Sequence, residues 1–144
     1  MSDDPYNLER FTVAQDRNGS YDRALAELRE GRKQSHWMWW IFPQFSGLGL
    51  SPTSREYALS SIDEARAYLV HPTLGPRLRE VAEALLGHAG QGIEAIVNGD
   101  AVKVGSSMTL FMRARPEDQL FSRVLEVFFD SVPDAMTDQL LHSA

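Results

Sequence analysis

Residues 32–45 read RKQSHWMWWIFPQF and hold all three tryptophans of the chain, Trp37, Trp39 and Trp40. At helical spacing the apolar side chains surround the axis, and in an extended conformation both faces are apolar. Either way the segment has to be enclosed by protein, which predicts a central element of the fold. Pro43 limits continuation of a helix, and Gly47-Leu48-Gly49 followed by Ser51-Pro52 describes an irregular loop.

Helical signals surround this segment. Leu8 to Ala14 suits a short first helix, Asn18-Gly19 marks a turn, and Ser20 is placed to cap the next helix. In YDRALAELREG, Tyr21, Ala24, Leu25 and Leu28 recur at i, i+3, i+4 and i+7. Arg23, Glu27 and Glu30 then face outward, and Gly31 supplies a left-handed stop. Ser61 and Glu64 form a capping box that opens a helix ending at His71-Pro72. Leu78, Val81, Ala82, Leu85 and Leu86 give a long apolar stripe, Ile93 to Val97 a short helix stopped by Asn98-Gly99, and Leu120 to Phe128 a last long helix before a short C-terminal one. Lys103 to Arg113 reads as a helix with Val104, Met108, Phe111 and Met112 on one arc, or as a strand given its β-branched residues and Gly105. Strand signals are too few for a sheet of ordinary size, so the expected architecture is all-α: a compact bundle of about six to eight helices in one domain, residues 1–144, with the Trp-rich segment at its centre.

Composition narrows the function. The chain has 144 residues, 43% of them hydrophobic and 24% charged, enough for one domain to bury about two-thirds of its unfolded surface. No apolar stretch approaches the roughly 18 residues of a membrane span, and MSDDPYNLER lacks the features of a signal peptide, so the expected location is the cytoplasm, with no membrane partner. With no cysteine there is no disulfide, thiol nucleophile or thiolate zinc site. His36, His71, His88 and His142 show no i, i+4 pair and no H-E-x-x-H, so neither a metal nor another cofactor is expected. The net charge of −6 argues against broad nucleic-acid binding. It is unevenly spread, however. Residues 31–60 carry Arg32, Lys33 and Arg55 against Glu56, and residues 101–112 carry Lys103 alone, so these two windows hold +3 and the remainder −9. If the fold joins the windows, they make a local positive field on an acidic protein.

Several side chains could use that field. Lys33, Lys103 and Arg113 suit an anion, and Ser106, Ser107 and Thr109 offer hydroxyl donors. The same hydroxyls would serve equally well in internal helix hydrogen bonds. Neither a phosphate loop nor a G-x-S-x-G elbow surrounds them. Trp37 or Trp40 could form an apolar wall for a flat ring, although core packing is the commoner fate of such rings; if buried, their N–H groups need an acceptor such as Gln44 or a backbone carbonyl. His36 lies between a basic turn and an apolar segment, where desolvation favours a neutral imidazole able to act as an acid/base near pH 7, or simply to bond a carbonyl.

GRKQSHWMWWIFPQF at 31–45, YALSSIDEARAYLVHPTLGPRL at 57–78 and VGSSMTLF at 104–111 resemble the signatures of a bacterial family catalogued as domain of unknown function 1810, and the likeness spans nearly the whole chain. Trp40 stands where phenylalanine is expected. The resemblance implies a small, mainly helical single domain and transfers no catalytic roles. Some members carry the label calpastatin, an inhibitor of calcium-dependent proteases that is an extended, disordered chain. This sequence instead has the composition to build its own core. Three functions are compatible with the residues: a pocket for a small anionic, phosphate- or nucleotide-like metabolite formed by residues 32–44 and 103–113; a non-catalytic protein-interaction module using the Trp-rich segment; and a hydrolase of a nucleotide or ADP-ribose derivative.

Overall fold

Left-handed turns punctuate the chain and divide it into helices. The computed structural model describes residues 4–144. Among them α1 (Glu9–Asp16) runs into a 3₁₀ turn at Arg17–Gly19, where Asn18 and Gly19 take φ of 53° and 67°. Next come α2 (Ser20–Glu30), α3 (Met38–Ile41), α4 (Pro52–Glu56), α5 (Ile62–Val70), α6 (Leu74–Leu86) and α7 (Ile93–Val97). After a second left-handed pair, Asn98 and Gly99, α8 (Ala101–Ala114), α9 (Gln119–Phe128) and α10 (Ala135–Ser143) complete the fold. The protein is all-α. The excess over the expected six to eight helices comes from single turns such as α3, too short to show a periodic stripe in sequence. Extended pairing among the described residues is confined to one bridge, Phe45 to Leu59.

The Trp-rich segment is enclosed, as its two-sided apolarity requires. Trp37, Ile41 and Phe42 are buried, and α3 is the single helical turn that Pro43 allows. The axis of the core is α8, which packs against α5, α7, α9 and α10, while α6 packs against α2, α5 and α9. Of the two conformations open to residues 103–113 the structure takes the helix. Gly105 is tolerated there because the Phe129 ring closes on it: an added methyl would lie 3.1 Å from that ring.

The hydroxyls of α8 that were offered as donors for an anion lie in the core instead. Ser106, Ser107, Thr109 and Leu110 are all buried. Serine and threonine can enter a core because their hydroxyls reach back to their own helix. Ser106 donates to the Val102 carbonyl at 3.0 Å and Thr109 to the Gly105 carbonyl at 2.8 Å. Thr109 also accepts the Asp134 amide at 2.8 Å, tying the start of α10 to α8. Among the described residues Ser107 Oγ has no partner. Arg113, at the far end of α8, is occupied by a bidentate pair with Asp138, both bonds 2.9 Å. Ser20 does not cap α2 but is its first residue, following left-handed Gly19.

The capping box at Ser61 forms half as drawn. Its hydroxyl accepts the Glu64 amide at 3.0 Å, whereas the Glu64 carboxylate accepts from Ser60, at both amide and hydroxyl, and from Arg10. Further on, His71 ends α5 and its Nδ1 accepts the amides of Thr73 and Leu74 at 3.1 Å, which starts α6 within a few residues. That tight corner leaves no space at Gly75, where a methyl would sit 2.2 Å from the Leu69 carbonyl oxygen. Gly75→Ala therefore forces the α5–α6 corner apart and is expected to lower stability by about 2–3 kcal/mol, read as a lower urea midpoint with unchanged helical circular dichroism in water.

Candidate functional site

The loop between α2 and α3 is built by one side chain. Gly31, at φ 79°, ends α2, and the Gly31 and Arg32 amides return to the carbonyls of Leu28 and Glu27 at 3.0 and 2.9 Å. The Glu27 carboxylate then accepts the amides of Gln34 (2.7 Å) and Ser35 (2.9 Å), the Ser35 hydroxyl (2.6 Å) and the Trp37 indole N–H (2.9 Å). Glu27 was expected to face water; it is instead 7% exposed. Burial on its own would raise its pKa, yet the four donors reverse this and bring the carboxyl down to about 2. The buried indole thus finds its acceptor in a carboxylate. Trp40 finds its own in the Ser20 hydroxyl at 2.8 Å. Gln44, the acceptor expected from sequence, accepts the Leu59 amide through its backbone carbonyl at 2.9 Å, and its side-chain nitrogen has no partner among the described residues.

The ordered loop delivers Lys33 to α7 and α8. Its amide donates to the Ile96 carbonyl at 2.6 Å, and its Nζ lies 3.1 Å from Asp100 Oδ2. Lys103 donates to the other oxygen of the same carboxylate at 2.7 Å. The two basic windows of the sequence therefore meet, at an acidic residue that sequence reasoning did not single out. Asp100 follows the Asn98-Gly99 turn and precedes the first turn of α8, so the D-x-x-K spacing to Lys103 was a legible signal; its pairing with Lys33 was not. Burial would raise the Asp100 pKa, but hydrogen bonds from Lys103 and Lys33 outweigh it and hold the group below the usual carboxylate range.

Above this cluster lies a cleft of about 370 Å³. Lys33, 9% exposed, lies over the buried Trp37 ring at 5.1 Å, and Lys103 lies over the half-buried Trp39 ring at 5.2 Å. Trp40, His36, Ser51 and Thr53 also line the cleft. The Ser51–Thr53 wall is held close to Trp39 by Gly49, where a methyl would lie 2.4 Å from Ser54 Cβ and 3.0 Å from the indole. His36 is exposed to solvent rather than shut between the basic turn and the apolar segment, and no carboxylate among the described residues hydrogen-bonds it. Of the site residues expected from sequence, Lys33, His36, Trp37, Trp40 and Lys103 line this cleft, while Gln44, Ser106, Ser107 and Arg113 do not. Trp39 and Asp100 line it without having been expected. No group of three or more potential metal-binding side chains occurs among the described residues.

Helical architecture and these motifs together define the class. Residues 5–141 match the model of the family described as "Protein of unknown function (DUF1810)", and the chain belongs to that family. Among solved structures it is similar to the conserved hypothetical protein Rv1873 from Mycobacterium tuberculosis, with 44% identity, a TM-score of 0.93, and coverage of 96% of this chain and 99% of that one. No curated protein matches it. Among the described residues no helix is long and apolar enough to cross a membrane.

Glu27→Gln replaces an acceptor of four donors by an amide that can satisfy only part of them, and is expected to cost about 2–4 kcal/mol of stability by urea unfolding followed through tryptophan emission. The pH dependence has a definite sign. The folded carboxyl at about 2 lies below its ordinary 4.5, so its contribution is complete above pH 4.5 and is lost as pH falls towards 2. The stability gap between wild type and Glu27→Gln should therefore narrow steadily over that interval.

Proposed function

We propose that the cleft binds a small metabolite combining an anionic group with a flat ring, the anion at Lys33 and Lys103 and the ring against Trp39 and Trp40. The observation that carries this reading is the convergence of both lysines of the chain, from segments seventy residues apart, on one carboxylate beside indole rings. One carboxylate between two ammonium groups leaves the cluster with a net charge of +1, and each ammonium has three donors of which Asp100 takes one. A second acceptor oxygen is thus favoured electrostatically and geometrically. The expected Ser106, Ser107 and Arg113 contacts have no part in it, since the serines are core residues and the arginine is paired with Asp138.

A protein-interaction hot spot is centred on aromatic anchors offered to a partner, whereas Trp37 is 1% exposed and Trp39 and Trp40 are half-buried in the lining of the cleft. That disfavours the docking reading. If chemistry accompanies binding, exposed His36 is the side chain at the rim able to move a proton.

A thermal-shift series with inorganic phosphate, AMP and benzoate tests the proposal on the full chain. At about one hundred times its dissociation constant a ligand contributes about 2.7 kcal/mol, a rise of several degrees in Tm. AMP should give that rise, phosphate and benzoate less. Lys103→Gln, at the more exposed of the two lysines, should reduce the AMP shift without changing the Tm of the free protein by more than about 2 °C. Absence of any shift with all three probes would overturn the reading.

A further inference from the structure

A second hollow adjoins the cleft. It has a volume of about 200 Å³ and shares two lining residues with the first, His36 and Trp40. Its other walls bring Arg17 from the 3₁₀ turn, Arg23 and Ser20 from α2, and Tyr57 from the end of α4. No carboxylate lines it. Arg17 and Arg23 form no ion pair among the described residues, whereas Arg10, Arg66, Arg77, Arg79 and Arg113 each do. The hollow is therefore cationic in its own right on a protein of net charge −6.

The partition between the two hollows is rigid. Trp40 is half-buried, its indole N–H is held by Ser20, its carbonyl accepts from Gln15 Nε2 at 2.8 Å, and its ring lies 5.4 Å from that of Tyr57. A fixed aromatic edge flanked on one side by Lys33 and Lys103 and on the other by Arg17 and Arg23 presents the sequence cation, ring, cation. Size points the same way. The cleft alone lies near the bottom of the roughly 300–1,000 Å³ typical of small-molecule sites, and an occupant that continues into the second hollow has a more usual space.

We infer that the ligand spans both hollows and is of the nucleoside bisphosphate class: an aromatic base against Trp40 with one anionic group at Lys33 and Lys103 and a second at Arg17 and Arg23. This rests on the binding reading proposed above and adds to it the second anion and the residues that receive it. Guanidinium groups suit that role because their planar fork meets two phosphate oxygens at once.

Titration calorimetry of the full chain with AMP and with adenosine 3′,5′-bisphosphate tests the inference. The bisphosphate should bind at least about tenfold more tightly than AMP. In the double variant Arg17→Gln, Arg23→Gln, both changes at exposed positions, this advantage should fall to about onefold while AMP affinity stays as in wild type. Lys103→Gln should weaken both ligands together. Equal affinities for the two nucleotides in wild type, or equal weakening of both by the arginine changes, would overturn the inference and leave the cleft reading standing. Failure of both nucleotides to bind would overturn the two together.

Discussion

A buried carboxylate organises the part of the molecule that carries the site. Glu27 accepts from two amides, a hydroxyl and an indole, and its own backbone carbonyl takes the Arg32 amide. Five donors from residues 32–37 are thus gathered on one residue of α2. A loop of six residues without regular structure would otherwise leave its polar backbone groups to water and its position to chance. Because the donors stabilise the charged form, the carboxyl stays ionised in a setting where burial alone would raise its pKa. The consequence passes along the chain: with the loop held, Lys33 meets Asp100 and Trp37 enters the core.

The cleft follows the same logic on a smaller scale. Asp100 draws together two lysines that lie seventy residues apart in the sequence, and each lysine rests on an indole. Removing water around an ammonium group is costly unless charge and aromatic faces replace it, and both are present here. The aromatic rings serve the core and the cleft at once. Trp37 is buried beneath Lys33, whereas Trp39 and Trp40 keep partly exposed edges, and Gly49 allows the segment before α4 to approach Trp39.

How far these features could be read beforehand differs from one residue to the next. The stripe of α6, the left-handed stop at Gly31 and the turn at Asn98-Gly99 are local: each depends on spacing or on backbone freedom within a few residues, and each stands where expected. The enclosure of the Trp segment was equally legible, because no conformation gives it a polar face. Glu27 was misjudged for an instructive reason. Helical periodicity reports which face a side chain occupies, and a carboxylate on the polar face is ordinarily solvated, so the inward capture of Glu27 depends on where the loop after α2 returns. The α8 hydroxyls were open to two readings for a different reason, since serine and threonine can satisfy themselves within a helix and be buried on any side of it.

Amino-acid order alone was enough for the helical class, the boundaries set by Gly31 and Asn98-Gly99, the central placement of Trp37 to Phe42, and the uneven distribution of charge, all of which arise from chain-local sterics and hydrophobic periodicity. Folding in three dimensions chose which charges meet. Lys33 and Lys103 converge while Arg113 is drawn off by Asp138, and Asp100 and Trp39 become part of a site that Ser106 and Ser107 do not reach. Pairing between distant side chains depends on the relative placement of whole helices. That placement is decided by the packing of the entire core around α8, a sum over many contacts which no single stretch of residues contains.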